Sequence, residues 1–356
     1  MAKVTWIMPV KNGMPYLTET LDSIARQTYR NWTILAWDNG STDGSLDELK
    51  KQIPHRLPGK VIEGNPLGLG ACLAAMVEMC ATDYCARIDA DDINYPERLA
   101  RQMQFMESTP EIAVVGAQTV AIDESGTPCG HNIMLPLKHE DIVNRLLSQW
   151  ALCHPTVLFR CKAVLSVGNY LDIQPTEDYD LWMRIAAHYR LENLEQTLLF
   201  YRVRQAGVTR SAAAAGDLDN KTAACVIRNA PTLYGCTPRE AEHLLQKNKL
   251  IKLPVFYRIA RHLSRTQGGS IRGRFASASF RETMRILSTP INIGVRLAWA
   301  VSEPGLRNKL KNLIQVALST AKCGMKIILR GMSIMCCAKQ LRSRCSKNNG
   351  AAQKSR

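Results

Sequence analysis

The sequence predicts an α/β protein: a Rossmann-like, mostly parallel central sheet with helices on both faces, followed by a basic helical C-terminal extension. Three observations predict it. Short apolar runs alternate with segments of helical spacing through the first 116 residues. Strands separated by helices at this spacing imply parallel β-α-β units. The Lys and Arg residues are concentrated towards the end of the chain. After residue 250 there are 21 of them against only Glu282 and Glu303, about +19, which leaves −4 of the net +15 for the rest.

Val4–Val10 reads as a buried strand, with Pro9 near its end, where a missing N–H is tolerated. Leu17, Leu21, Ile24 and Ala25 give helical spacing within 16–28. A second strand over 32–37 runs into the turn-rich string Asp38-Asn39-Gly40-Ser41-Thr42-Asp43-Gly44. A helix over 45–53, a short strand over 60–63 and a helix over 71–80 follow. The strand at 84–88 ends in Asp89-Ala90-Asp91-Asp92, and Pro96 opens a helix running to about Met106. Ile112–Val115 is a strand closed by Gly116. Beyond that the pattern is irregular, with strands expected near 118–122, 156–159 and 198–203 and a helix over 178–188. The first domain is expected to span 1–215, ending in the small-residue run at 212–216. A basic helical region broken by Pro231, Pro238, Pro254, Pro290 and Pro304 covers 216–345, and 346–356 is a polar tail expected to be disordered.

Composition narrows the function. The 46% hydrophobic and 22% charged content is that of a globular protein. The twelve cysteines show no CxxC pair, so neither a zinc knuckle nor a redox motif is expected, and scattered thiols fit a reducing compartment. No signal-peptide pattern opens the chain and no run reaches about 18 apolar residues. The expected location is therefore cytoplasmic, with any membrane contact peripheral.

Three strings carry chemistry. Asp89-Ala90-Asp91 follows a strand, so both carboxylates can face the crevice where open sheets bind ligands. Hard divalent cations take such oxygen donors together with substrate phosphates. A solvated acidic turn is the plain alternative. The Asp38 to Gly44 string offers hydrogen-bonding groups to a base or ribose, and equally an Asx turn with a helix cap. Glu177 and Asp178 precede an amphipathic helix, where a carboxylate can act as general base or simply complement the helix dipole.

Taken in order, these strings resemble the family-2 glycosyltransferases of bacterial polysaccharide and lipopolysaccharide type. The pieces are Ile7-Met8-Pro9-Val10-Lys11-Asn12-Gly13; Ser23-Ile24 with Gln27-Thr28-Tyr29; the Asp38 to Gly44 loop; Ala86 to Asp92 with Pro96-Glu97-Arg98 and Gln102; His154 to Arg160; and Glu177 to Arg184. The resemblance covers residues 3–211 and implies a GT-A fold.

It further implies an inverting transfer of a sugar, hexosyl or N-acetylhexosaminyl, from a nucleotide-sugar donor, with a UDP-sugar favoured, to a hydroxyl of a glycan or lipid-linked acceptor. Pro9, Val10, Lys11, Asp38, Asn39, Asp89 and Ala90 would line the nucleotide pocket. Asp91, with Asp89, would hold Mg2+ or Mn2+ as cofactor, and Asp178 would be the general base. His154, Arg202, Arg204, Glu177 and Trp182 would lie near the diphosphate or the acceptor, although His154 and Trp182 also fit a buried core. Three departures stand out: Asn39 where a second acid is usual, Lys11 where an aromatic is usual, and Arg204 near the place of a histidine. Arginine cannot ligate a metal, so Arg204 is expected to pair with phosphate.

Lys322, Lys326 and Arg330, four apart, form one stripe beside Ile314, Leu318, Met325, Ile328, Leu329 and Met332. A basic amphipathic helix of this kind reads as an interfacial element on an anionic inner-leaflet surface, with nucleic acid a less suitable partner. The alternative from another class is a catalytically degenerate binding protein, tethered by that tail to membrane or nucleic acid.

Overall fold

A computed structural model describes residues 2–130, 134–204, 217–245 and 252–268. Within them the chain alternates β1 (Val4–Val10), α1 (Leu17–Ala25), β2 (Trp32–Asp38), α2 (Ser45–Gln52), β3 (Gly59–Glu63), α3 (Leu69–Glu78), β4 (Tyr84–Arg87), β5 (Ile93–Asn94), α4 (Arg98–Ser108) and β6 (Ile112–Ile122). It continues through α5 (His139–Arg145), a 3-10 turn (His154–Thr156), β7 (Leu158–Arg160), α6 (Cys161–Ser166), α7 (Glu177–Ala186) and β8 (Arg190–Arg202). The helices α8 (Asp217–Tyr234), α9 (Pro238–Leu245) and α10 (Lys252–Thr266) follow.

The eight strands form one sheet in the order β3-β2-β1-β4-β7-β6-β8-β5. The first four are mutually parallel. β7 then runs antiparallel to both β4 and β6, β6 is parallel to β8, and β5 is an antiparallel edge. β1 thus sits between β2 and β4, where the winding reverses direction, so the carboxyl ends of these three strands open on one crevice. Val4, Trp6, Ile7, Met8 and Val10 of β1 are all fully buried, because helices cover both faces of the parallel half. Each such large apolar side chain stabilises the fold by roughly 1.5–3 kcal/mol.

Several expectations are corrected. Gly116 does not close a strand: β6 runs through it from Ile112 to Ile122. A Cβ at Gly116 would stand 2.2 Å from Asn193 Oδ1, so glycine is what lets the Asn193 amide cross β6 and reach the carbonyls of Pro136 and Ala151. The final strand spans thirteen residues, beginning at Arg190 instead of 198. Pro231 does not break a helix but lies in the last turn of α8.

The described helices α8–α10 pack on the sheet domain. They fall in the same compact unit as the sheet. Asp180 of α7, fully buried, accepts hydrogen bonds from Arg184 Nε (2.7 Å), Arg228 Nε (2.9 Å) and Asn229 Nδ2 (2.8 Å). Tyr234 Oη donates to the Val143 carbonyl at 2.7 Å, binding α8 to α5 as well. Among the described residues no helix is long and apolar enough to cross a membrane. The basic stripe of Lys322, Lys326 and Arg330 lies outside them.

Asp180 is the anchor of this docking. Asp180→Ala leaves two guanidinium groups and an amide without their shared acceptor, and should cost about 2–4 kcal/mol. Urea denaturation checks this, and a loss under about 1 kcal/mol would show that α8 is held by something else.

Candidate active site

The crevice is built from loops at the carboxyl ends of β1, β2 and β4. The loops after β1 and β2 are laced together. Asn12, in the left-handed region at φ 54°, receives the Thr42 N–H on its Oδ1, and its own N–H reaches Ser41 Oγ. Gly13 N donates to Ser45 Oγ and Met14 N to Asp43 Oδ2. Burial pushes the Asp43 carboxyl up, but hydrogen bonds from Ser45 and from the Met14 and Ser45 N–H groups outweigh it and hold the group below its ordinary range.

Asp38 ends β2, opposite Val10 of β1. Its Oδ2 takes the N–H groups of Gly40 and Ser41, both at 3.2 Å, while Oδ1 is buried without a partner. Asn39 is committed elsewhere. Its Nδ2 donates to the Leu67 carbonyl and its Oδ1 accepts from the Leu67 N–H, both at 2.8 Å. The amide thereby acts as a strand-like partner for the loop between β3 and α3. An acid there could not donate, which explains the departure from two acids.

The acidic string follows β4. Asp89, Asp91 and Asp92 bring carboxylate oxygens within 4.8 Å of one another. Asp89 Oδ2 pairs with Arg87 Nη1 at 2.5 Å, and Asp91 Oδ2 with Arg204 Nη1 at 3.3 Å. Asp92 is fully buried, accepting the Arg202 N–H on Oδ1 and leaving Oδ2 without a partner. Burial, then the negative charge of Asp89, raises the Asp91 carboxyl, and the same causes raise Asp92 well above its ordinary range. An orphaned buried oxygen among crowded hard donors fits a divalent cation.

The base candidate stands at the start of α7. Asp178 Oδ1 accepts from the Tyr179 N–H at 2.7 Å, and Oδ2 lies 3.8 Å from His154 Nδ1. Burial, and next the charge of Glu177, push Asp178 up to about 7. Glu177 is raised for the same first reason, and its Oε2 is buried without a partner. His154 bonds Tyr170 Oη through Nε2 at 2.9 Å. Burial and the Arg87 charge hold it neutral, so its contact with Asp178 is polar and not an ion pair.

Arg87 is the residue that sequence reasoning missed. Its side chain is 2% exposed and pairs with Asp89, and its charge also favours the anions of Asp92, Glu177 and Asp178, against the larger effect of burial. The signal available was a lone cation ending an otherwise apolar strand. Arg98 holds it in place by donating to the Arg87 carbonyl at 2.8 Å while its guanidinium packs 5.0 Å from the Trp6 ring. Gln102 beside it bonds the Val115 and Thr156 carbonyls.

Three of the expected residues are turned inward or spent on the protein. Val10 is fully buried in the core, so only its backbone, which accepts the Asn39 N–H, borders the crevice. Trp182 is fully buried, its ring edge against His154, and cannot touch an acceptor. Arg202 is 2% exposed at its side chain and spent on the carbonyls of Asp91, Asp123 and Glu124 and on Glu19. It straps the acidic string in place instead of facing a phosphate. Ala90 packs against Gly13, where a Cβ would approach it to 3.2 Å. Lys11 is exposed and Pro9 half-buried at the mouth, and Arg204 retains a 30% exposed side chain beside Asp91.

The family model for glycosyl transferase family 2 matches residues 5–167. The amylovoran biosynthesis glycosyltransferase AmsE of Erwinia amylovora is 34% identical over 189 residues, covering 52% of this chain and 70% of that protein. The O-antigen biosynthesis glycosyltransferase WbnJ of Escherichia coli is 31% identical over 221 residues, 59% and 84% of the respective chains. This chain belongs to glycosyl transferase family 2. It is a glycosyltransferase of the polysaccharide-biosynthesis type.

Its fold is similar to that of solved transferases. Staphylococcus aureus TarS 1–349 in complex with UDP-GlcNAc matches with a TM-score of 0.53 at 16% identity, over 80% of this chain and 90% of that one. The mannosyltransferase PcManGT of Pyrobaculum calidifontis, in complex with GDP-Man and Mn2+, matches with 0.52 at 17%, over 83% and 84%. These likenesses make the glycosyltransferase a GT-A protein.

The raised Asp178 carboxyl carries a stability consequence. The folded protein holds this proton from about 3.8, the ordinary value, up to about 7. Its contribution to stability is thus complete below the lower value and lost as pH climbs to the upper one. Asp178→Asn removes the penalty of burying the anion. At pH 8 the variant should be more stable than the wild-type glycosyltransferase by on the order of 2–4 kcal/mol, the gap closing towards pH 4. Denaturant titrations at both pH values check this; a gap independent of pH would contradict it.

Proposed function

We propose that this glycosyltransferase moves a sugar from a nucleotide-sugar donor to a hydroxyl of a glycan or lipid-linked acceptor with inversion at the anomeric carbon. The observation that carries the reading is the electrostatic link between the two acid groups: the charge of Arg87, paired with Asp89, also reaches Glu177 and Asp178, and the charge of Asp89 reaches Glu177. Donor-side and acceptor-side acids thus share one crevice.

Asp38 Oδ1, buried without a partner, is free to accept from the donor's base or ribose. The UDP-GlcNAc in TarS and the GDP-Man in PcManGT support the nucleotide-sugar class, with UDP-sugars the first donors to test. Asp91 and Asp89 would hold Mg2+ or Mn2+. A cation there supplies positive charge opposite a departing nucleoside diphosphate. Arg204, half-exposed on Asp91, is placed to exchange that carboxylate for a phosphate oxygen.

Asp178 removes the acceptor proton as the hydroxyl oxygen attacks the anomeric carbon. Burial tunes it for this: a carboxyl near 7 is a stronger base than an ordinary one and is still ionised in about half of molecules at neutral pH. Inversion follows from attack opposite the leaving diphosphate, with no covalent glycosyl-enzyme. The relatives AmsE and WbnJ point to a surface polysaccharide or O-antigen product.

Nucleoside-diphosphate release from a panel of nucleotide sugars, with a membrane lipid extract and with Mg2+, Mn2+ or EDTA, tests this. One donor should support metal-dependent release. Asp91→Ala should abolish it. Asp178→Asn should lower turnover by about 10²–10⁴-fold while keeping donor affinity. The wild-type rate should rise with pH through about 7, and Arg87→Met should move that limb upwards, because Arg87 favours the Asp178 anion. Absence of donor binding across the panel would point instead to a degenerate binding protein.

A further inference from the structure

Three cysteines that the acidic crevice does not use converge at the opposite end of β4. Cys80 follows α3, Cys85 lies within β4 and Cys161 begins α6. Their sulfurs stand 2.9 Å (Cys80 to Cys85) and 3.3 Å (Cys85 to Cys161) apart, and all three lie within 4.8 Å of one another. Cys85 and Cys161 are buried, while Cys80 is half-exposed. Four residue steps along the strand and the residues after it, about 13 Å, carry the chain from Cys85 to Asp89, so this is a separate place from the active site.

We propose that Cys80, Cys85 and Cys161 form a thiolate site for a soft d10 cation, Zn2+ being the occupant that best suits it. Buried cysteines usually behave as small apolar groups and pack against carbon. Here three sulfurs from three separate segments face one another, which sacrifices apolar contact and gathers soft donors. Zn–S bonds of about 2.3 Å place tetrahedral sulfurs roughly 3.8 Å apart, so the observed separations need to open by less than an ångström. The half-exposed Cys80 gives an entry path and leaves the fourth position to solvent. Polar groups stand in β1 and just before β4: the Thr5 hydroxyl meets Thr82 Oγ1 at 2.7 Å, and Thr82 Oγ1 donates to the Tyr84 carbonyl.

Binding balances simply. Zn2+ forms three Zn–S bonds, the three thiol protons leave to solvent, and the site carries a net charge of −1. Arg160, adjacent to Cys161 and donating to the hydroxyl of Tyr84, brings positive charge to the same end of the strands. The effect is structural. The ion ties α3 to β4 and α6, steadying the strand whose other end carries Arg87.

The test is titration of the full chain with Cd2+ in a non-coordinating reductant, followed by its near-ultraviolet thiolate-to-metal charge-transfer band. Carboxylates give no such band, so the Asp89–Asp92 site is silent. One equivalent should produce it, and Zn2+ should displace Cd2+ and raise the melting temperature. Cys80→Ser, at the half-exposed ligand, and Cys161→Ala should each weaken binding at least ~10-fold and remove the thermal shift. Cys336→Ser with Cys337→Ser should leave both unchanged. No band at one equivalent, or a band that survives Cys80→Ser and Cys161→Ala but is lost with Cys336 and Cys337, would overturn the proposal.

Discussion

The structure around the crevice depends on one buried guanidinium. Arg87 is desolvated at the end of β4, and burying an unpaired charge there would cost several kcal/mol. The cost is offset chiefly by Asp89, paired with it at 2.5 Å, and to a lesser degree by the charges of Asp92, Glu177 and Asp178. Those acids in turn are crowded carboxylates that would repel one another without it. The charge of Arg87 reaches both the loop after β4 and the first turn of α7 and eases ionisation in each. Arg98 and Gln102 support it from below by fastening β4 to β6 and the 3-10 turn.

A second constraint acts at the mouth. The loops after β1 and β2 would be irregular backbone with many unpaired N–H groups. Asn12, Ser41, Asp43 and Ser45 satisfy these across the gap, and Asn39 does the same for Leu67. The side chains nominated for ligand binding by their polarity are therefore of two kinds. Asn39 and Arg202 are spent on the protein, while Asp38, Asp91 and Glu177 retain exposed surface or an unpartnered oxygen. That division separates scaffold from chemistry at this site.

The parallel half was legible because its signals are local. β1 runs over Val4–Val10 as its apolar run indicates, and the helices start and stop within a few residues of their periodic patterns. The other half was not. β5 has only two residues, α5 and α6 are short, and β6 passes through a glycine that normally punctuates a strand. Gly116 is there for an amide arriving from Asn193, 77 positions away in the chain, which no window of sequence can register.

The sequence by itself determined the alternation of strand and helix, the order of acidic strings at strand ends, and membership of a transferase family. All of these are written in residue type and spacing. Tertiary structure decided which of the acids meet, that the charge of Arg87 reaches both groups, that Trp182 and Val10 turn inward, and that Cys80, Cys85 and Cys161 face one another. The physical reason is that burial and charge coupling are properties of neighbours in space. A carboxyl is pushed up to about 7 only when desolvated beside another acid, and nothing in the string Glu177-Asp178 says that it will be.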